Sequence, residues 1–262
     1  MKKIIVHGVT IIAIAVIAVS IWGFITSISL TTGKNDKYVA KEDNNAVEVK
    51  NSIKYDKNSY NILAMGDSLA KGTGDESNKG FAGNFADYLQ TKTSKSVRLD
   101  NLAINGDTSD GLLQVVKSSE AAKLIKNSNI ILISIGGNEI TKFKNADVSS
   151  EEGQFKATQD SYLNNLKNIF NTIRGQNKNC KIVCIGLYNP FGENINSDKI
   201  KLIDDWNSGT QDVIADDSNA VFIPTYDLFR YNAQSYLTID NFHPNSAGYI
   251  AIAKRIEEAV KQ

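Results

Sequence analysis

Five short apolar runs punctuate the later part of the chain, at 61–65, 97–103, 129–135, 181–187 and 220–224. Each is short, and Gly, Asn or Pro breaks in close by, which reads as a buried strand. Between them the apolar positions change to helical spacing. Residues 82–92 carry Phe85, Tyr88 and Leu89; residues 159–174 carry Tyr162, Leu163, Leu166, Ile169 and Phe170. Residues 199–214 carry Ile203, Trp206 and Val213, and residues 246–261 carry Tyr249, Ile252, Ala253, Ile256 and Val260. Strands alternating with amphipathic helices predict one α/β domain over residues 59–262, with a parallel sheet covered on both faces.

The pattern upstream is different. Residues 4–33 contain no Asp, Glu, Lys or Arg, and Ile11 to Ile25 is apolar apart from Ser20 and Gly23. Such a stretch is long enough for a transmembrane helix, which needs about 20 residues. A cleaved signal peptide has a shorter apolar core and a small-x-small site beyond it. Here the alanines that could make such a site, Ala13, Ala15 and Ala18, fall inside the run, and no Cys follows to carry a lipid. Residues 1–30 therefore read as an uncleaved signal anchor with the domain outside the cytoplasm; secretion after cleavage is the alternative. Lys2 and Lys3 precede the run and Lys34, Lys37 and Lys41 follow it, so charge alone does not orient it. Residues 31–58 are polar and mixed in charge, a linker that spans about 30 Å root-mean-square as a coil. Within it Ala46-Val47-Glu48-Val49 alternates as a short strand would.

Composition narrows the chemistry. The chain has 262 residues, 42% hydrophobic and 22% charged, with a formal net charge of +0, which excludes the basic surface of a nucleic-acid binder. It has 2 histidines, His7 in the N-terminal segment and His243, so imidazole chemistry in the folded body rests on His243. No clear cluster of His and Cys ligands for zinc is available, and no metal or organic cofactor is called for. Cys180 and Cys184 fall in one predicted strand, about 13 Å apart at 3.3 Å per residue. That is too far for a disulfide, so they read as small core residues.

Four polar clusters follow predicted strands, where ligands of open α/β sheets bind. They are Gly66-Asp67-Ser68, Asn105-Gly106-Asp107-Thr108, Gly136-Gly137-Asn138-Glu139 and Tyr188-Asn189-Pro190-Phe191-Gly192. A fifth, Asp240-Asn241-Phe242-His243-Pro244-Asn245, precedes the last helix. A strand ending on a Gly-flanked Ser presents a hydroxyl at the top of a sheet, and a serine hydroxyl needs a base and a group that orients the base. Asp240 sits three positions before His243, a spacing that lets its carboxylate accept from Nδ1 and leave Nε2 free. Gly106 would let a backbone N–H approach a ligand, and the Asn138 amide would donate a second bond. Plainer readings stand beside these. Gly-Asp-Ser makes ordinary turns, Asp67 suits an Asx-turn, and Asp240 to Asn245 suits a surface turn capped by Asn245 or Ser246. Phe143, Phe155, Tyr188, Phe191 and Phe242 could line a pocket, but buried aromatics are more often core.

Taken in order, Gly66-Asp67-Ser68-Leu69, Gly106, Gly137-Asn138 and Asp240-x-x-His243 resemble the four blocks of the SGNH, or GDSL, hydrolase superfamily. The resemblance covers residues from about 60 to the end. The Asn-Gly-Asp-Thr-Ser and Gly-Gly-Asn segments are most similar to its bacterial thioesterase/lysophospholipase branch, membrane-anchored members included. It implies a three-layer α/β/α fold with a mostly parallel five-stranded sheet of the flavodoxin-like kind. It implies Ser68 as nucleophile, His243 as base, Asp240 as its orienting acid, and an oxyanion hole from Ser68, Gly106 and Asn138. The expected activity is hydrolysis of carboxylic esters through an acyl-serine. The expectation is a lipase or acylhydrolase acting on small-molecule or lipid esters; the alternatives are an O-acetylesterase acting on cell-envelope glycans and a non-catalytic binding module that kept the fold. One departure is visible: Glu139 stands where the family usually has Asp, and its extra methylene is expected to change how that loop is held.

Overall fold

The computed structural model describes residues 59–145, 148–189 and 195–260. The anchor at 1–30, the linker at 31–58 and the short strand at 46–49 lie outside the described residues. Among the described residues no helix is long and apolar enough to cross a membrane.

Five parallel strands form one sheet in the order β2-β1-β3-β4-β5. They are β1 (Tyr60–Gly66), β2 (Val97–Asn101), β3 (Ile130–Ser134), β4 (Lys181–Ile185) and β5 (Ala220–Ile223). The helices in chain order are α1 (Ser68–Lys71), α2 (Gly80–Lys92), α3 (Ser109–Lys117), α4 (Ser119–Asn127), α5 (Gly137–Ile140), α6 (Val148–Gln176), α7 (Ser197–Ala215), α8 (Tyr226–Arg230), α9 (Ala233–Tyr236) and α10 (Ser246–Val260).

Strand alternation divides the core in two. Leu63, Met65, Ile131 and Ile133 face one side and pack against α3, α4, α6 and α7, around Tyr162 stacked on Trp206 at 4.5 Å. Ile62, Ala64, Ile130 and Leu132 face the other and pack against α1, α2, α8 and α10. Both faces of the central strands are therefore buried, which is why they read as continuous apolar runs. This is the expected three-layer α/β/α fold. Phe143 and Phe155 belong to the first core, edge to face at 5.4 Å, and line no pocket at the strand ends. Cys180 and Cys184 are free and buried, and burial pushes the Cys184 thiol up to about 12.

Connections leave β1 toward β2 on one side and reach β3 on the other. The chain therefore opens a crevice beyond the carboxyl ends of β1 and β3, the switch point where ligands bind in such sheets. Two expected strands stop short. β2 ends at Asn101 and β4 at Ile185, each two residues before the expected end.

Candidate active site

At the end of β1 the backbone turns sharply. Gly66 has φ +123°, and a Cβ there would lie 1.8 Å from the Ser134 carbonyl oxygen on β3, so only glycine fits. Asp67 then caps α1: its Oδ1 accepts from the Leu69 N–H at 3.1 Å, and its own N–H donates to the Ser134 carbonyl at 2.9 Å. The Asx-turn reading of Asp67 is thus satisfied alongside the presentation of its neighbour. Ser68 opens α1, so its N–H has no acceptor within the helix.

The histidine arrives from the far end of the chain. His243 Nε2 lies 3.0 Å from Ser68 Oγ, and His243 Nδ1 lies 2.7 Å from Asp240 Oδ2. Asp240 Oδ1 accepts from Thr238 Oγ1 at 2.6 Å and from the N–H groups of Phe242 and His243 at 2.8 and 2.9 Å. Burial opposes the charge on Asp240, but the donors from Thr238, His243 and Phe242 outweigh it and hold the carboxyl well below the usual carboxylate range. Asp240 therefore stays an anion beside Nδ1, which fixes the tautomer that leaves Nε2 facing the serine. Asn245 caps α10 by accepting from the Gly248 N–H at 3.1 Å, so the helix cap and the relay share one turn.

The other polar clusters brace this pair. The Ile104 N–H donates to the Gly66 carbonyl at 2.8 Å and Thr73 Oγ1 to Asn105 Oδ1 at 2.8 Å, which hold the 104–107 turn beside α1. Gly106 sits in that turn at φ +77° with open space where a side chain would be. It is not among the residues lining the cavity at Ser68. Asn138, on α5, does line that cavity, and its amide donates to the Asp107 carbonyl at 2.7 Å. One amide hydrogen thus fixes the side chain and the second remains for a ligand. The longer Glu139 reaches the start of α3, where Oε1 accepts from the Ser109 N–H at 2.6 Å. This is how the extra methylene is used: it ties the Asn138 turn to the helix that follows Gly106.

Ser134 and Asp75, which sequence reasoning did not single out, complete the frame together with contacts of Asp67 and Tyr188 that it did not foresee. Ser134 Oγ donates to Asp67 Oδ1 at 3.0 Å, and burial pushes the Asp67 carboxyl up to about 7. Tyr188 donates to the Phe242 carbonyl at 2.5 Å and stacks on Phe229 at 4.3 Å. Asp75 accepts from the N–H groups of Ser77, Lys79 and Gly80 and from Ser246 Oγ, pinning the loop after α1 to the start of α10. Thr238 was within reach of sequence reading, since a hydroxyl two residues from a turn Asp is common turn chemistry. The others join positions far apart in the chain. Of the fourth cluster, Tyr188 lines the cavity at Ser68 and Asn189 does not, while Pro190, Phe191 and Gly192 lie outside the described residues.

A hydrogen-bonded serine, histidine and aspartate at the switch point of a parallel sheet is the constellation of a serine hydrolase. The chain belongs to the GDSL-like lipase/acylhydrolase family, whose model matches residues 62–256, and it is a carboxylic ester hydrolase. It is 32% identical over 207 residues to the uncharacterized protein YpmR of Bacillus subtilis, covering 77% of this chain and 81% of that one. It is 27% identical to the spore germination lipase LipC of Bacillus licheniformis, covering 75% of this chain and 94% of that one. The fold is that of the lipase Lip_vut3 from a goat rumen metagenome, with a TM-score of 0.67 at 23% identity, covering 76% of this chain and 97% of that chain.

Proposed function

We propose that Ser68 is the nucleophile of this esterase, His243 its general base and acid, and Asp240 the residue that orients His243. The N–H groups of Ser68 and Gly106 and the amide of Asn138 form the oxyanion hole. The observation that carries this reading is the unbroken relay from Ser68 Oγ through His243 to Asp240 Oδ2, at 3.0 and 2.7 Å. In the first half-reaction His243 Nε2 takes the Ser68 proton as Oγ attacks the ester carbon. The same proton then passes to the departing alkoxide, leaving an acyl-serine. In the second half water attacks, His243 takes its proton and returns it to Ser68 as the acid departs. Each oxyanion donor contributes about 3–4 kcal/mol in such acyl transfers. Neither half-reaction requires a metal or an organic cofactor.

The reading extends to place and branch. The uncharged run at 4–33 and the polar stretch behind it support a domain tethered outside the cytoplasm by an uncleaved anchor. The Asn105-Gly106-Asp107-Thr108-Ser109 and Gly136-Gly137-Asn138 segments support the thioesterase/lysophospholipase-like branch. A tethered site lies within reach of lipid esters and of acylated envelope glycans. The catalytic assignment is tested by p-nitrophenyl acetate hydrolysis with the full chain and with Ser68→Ala. Turnover lost in Ser68→Ala supports it, and turnover retained there refutes it. The tether is tested by fractionation: membrane-bound protein starting at residue 1 or 2 supports it, and exported soluble protein starting near residue 30 refutes it.

A further inference from the structure

The donors proposed for the oxyanion hole stand on different strand ends, and the bonds that join those ends are unequal. The 104–107 turn is tied to β1 by the Ile104 N–H, which donates to the Gly66 carbonyl. The end of β1 is tied to β3 by Ser134 Oγ, which donates to Asp67 Oδ1. The gap between the 104–107 turn and α5 is crossed by the Asn138 amide, which donates to the Asp107 carbonyl at 2.7 Å. One hydrogen bond fixes a distance but leaves rotation about its own axis. This one also uses the amide that must point at the oxyanion. Glu139 supplies a second tie across the same gap: its Oε1 accepts from the Ser109 N–H at 2.6 Å.

Ser109 is a firm point to hold. It opens α3, where the N-cap Thr108 makes no side-chain bond to the helix, so the Ser109 N–H is an end donor that Glu139 satisfies from another element. A carboxyl there also lies at the positive end of the helix dipole. From α6, Asn165 donates to Ser109 Oγ at 3.1 Å and to Asp110 Oδ1 at 2.8 Å, which locks the start of α3 in place. Ser109, Glu139 and Asn165 are all buried, so water does not compete for these bonds. Glu139 Oε2 is buried and meets no donor among the described residues, so the side chain acts through Oε1. We propose that Glu139 is a positioning residue of the oxyanion hole: by bracing α5 against the start of α3, it holds the Asn138 amide in the orientation that meets the developing oxyanion. It touches no reacting atom itself. Aspartate at this position would be shorter by one C–C bond, about 1.5 Å, and would not reach the Ser109 N–H from the same backbone. The proposal rests on the reading of Asn138 as an oxyanion donor and adds the residue that aims it.

The test is a double-mutant cycle on the full chain, with kcat and KM for p-nitrophenyl acetate and Tm measured for each protein. Glu139→Ala should lower kcat about 10–10²-fold with little change in KM, a smaller loss than the roughly 10²–10³ that follows deletion of a donor. In the Asn138→Ala background the same change should lower kcat by less than about threefold, because the amide that Glu139 aims is gone. Glu139→Gln keeps the accepting oxygen, and burial already pushes the Glu139 carboxyl up toward its neutral form. Its kcat should stay within about threefold of wild type. Glu139→Asp loses the reach and should resemble Glu139→Ala in kcat; the Gln and Asp variants carry the same cycle if the alanine variant does not fold. A merely structural role predicts the same fractional loss of kcat in both backgrounds, following the fall in Tm. Equal losses in the two backgrounds, a change in KM alone, or a Glu139→Gln variant as impaired as Glu139→Ala overturns the proposal while leaving Asn138 a donor. An unchanged kcat in Asn138→Ala refutes the donor reading itself, and the proposal with it.

Discussion

Asp67, the residue immediately before Ser68, makes this protein's stability depend on pH in a direction opposite to that of most acidic residues. It is 4% exposed and is held by two donors, Ser134 Oγ and the Leu69 N–H, both on Oδ1. Burial raises its pKa to about 7 from 3.8; the donors oppose the rise and the nearby Glu139 adds to it. Between those values the folded protein keeps a proton that the unfolded chain has released. Stability from this residue is therefore present below about pH 4 and is lost as pH rises to about 7, where the folded form also ionises. A shift of about three pKa units at 1.36 kcal/mol each gives a loss of about 4 kcal/mol. That is large against the 5–15 kcal/mol that holds a typical domain together. Asp67→Asn keeps the shape and the accepting oxygen but cannot titrate. Urea unfolding of both proteins from pH 4.5 to pH 8 should show the wild type losing about 3 kcal/mol relative to the variant, since pH 4.5 already lies above the unfolded pKa of 3.8. Glu139, whose pKa burial also raises, is present in both and largely cancels in the difference. A stability difference constant across that range would refute the claim that Asp67 is protonated in the folded state at mild pH.

Three further substitutions probe the frame. Gly66→Ala places a Cβ against the Ser134 carbonyl at a φ of +123° and should cost at least about 3 kcal/mol, read as a fall in Tm or loss of soluble protein. Asn138→Ala should lower kcat about 10²–10³-fold with little change in KM, because an oxyanion donor binds the tetrahedral state better than the planar ester. A rise in KM alone would make Asn138 a substrate clamp. Asp240→Asn should leave the fold intact by circular dichroism and lower kcat by about 10⁴, the effect of a wrong histidine tautomer in the Ser-His-Asp template. An unchanged kcat would mean that another group orients His243.

Much of this arrangement was legible in the chain because its signals are local. β1, β3 and β4 are buried on both faces and end in or just before Gly or a small polar residue, Gly66, Ser134 and Gly186, so their positions and their open ends could be read directly. Asp240 and His243 lie in one turn, and with His243 alone outside the N-terminal segment, their pairing could be read from spacing. The helices α3 and α4 were missed. Each spans 9 residues, and they abut at Ser118, so neither offers the sustained period that marked α10. Helix α6 starts near Val148, ahead of the expected 159, because its first turns are rich in Ser and Glu and carry little apolar pattern. The deeper gap is in the bonds that span the sheet. Ser134 to Asp67, Tyr188 to Phe242 and Ser246 to Asp75 join residues 67, 54 and 171 positions apart. No periodicity reports such pairs, and they hold the turns that carry Ser68 and His243 in place.

The central claim is that Ser68 carries the acyl group. The most direct measurement is peptide mass spectrometry of the full chain after reaction with a fluorophosphonate, which traps a serine activated by a histidine. The label should fall on Ser68, abolish hydrolysis of p-nitrophenyl acetate in proportion to its occupancy, and be absent from Ser68→Ala and strongly slowed in His243→Ala. A label on another residue, or full hydrolysis by protein whose Ser68 is fully modified, would contradict the account.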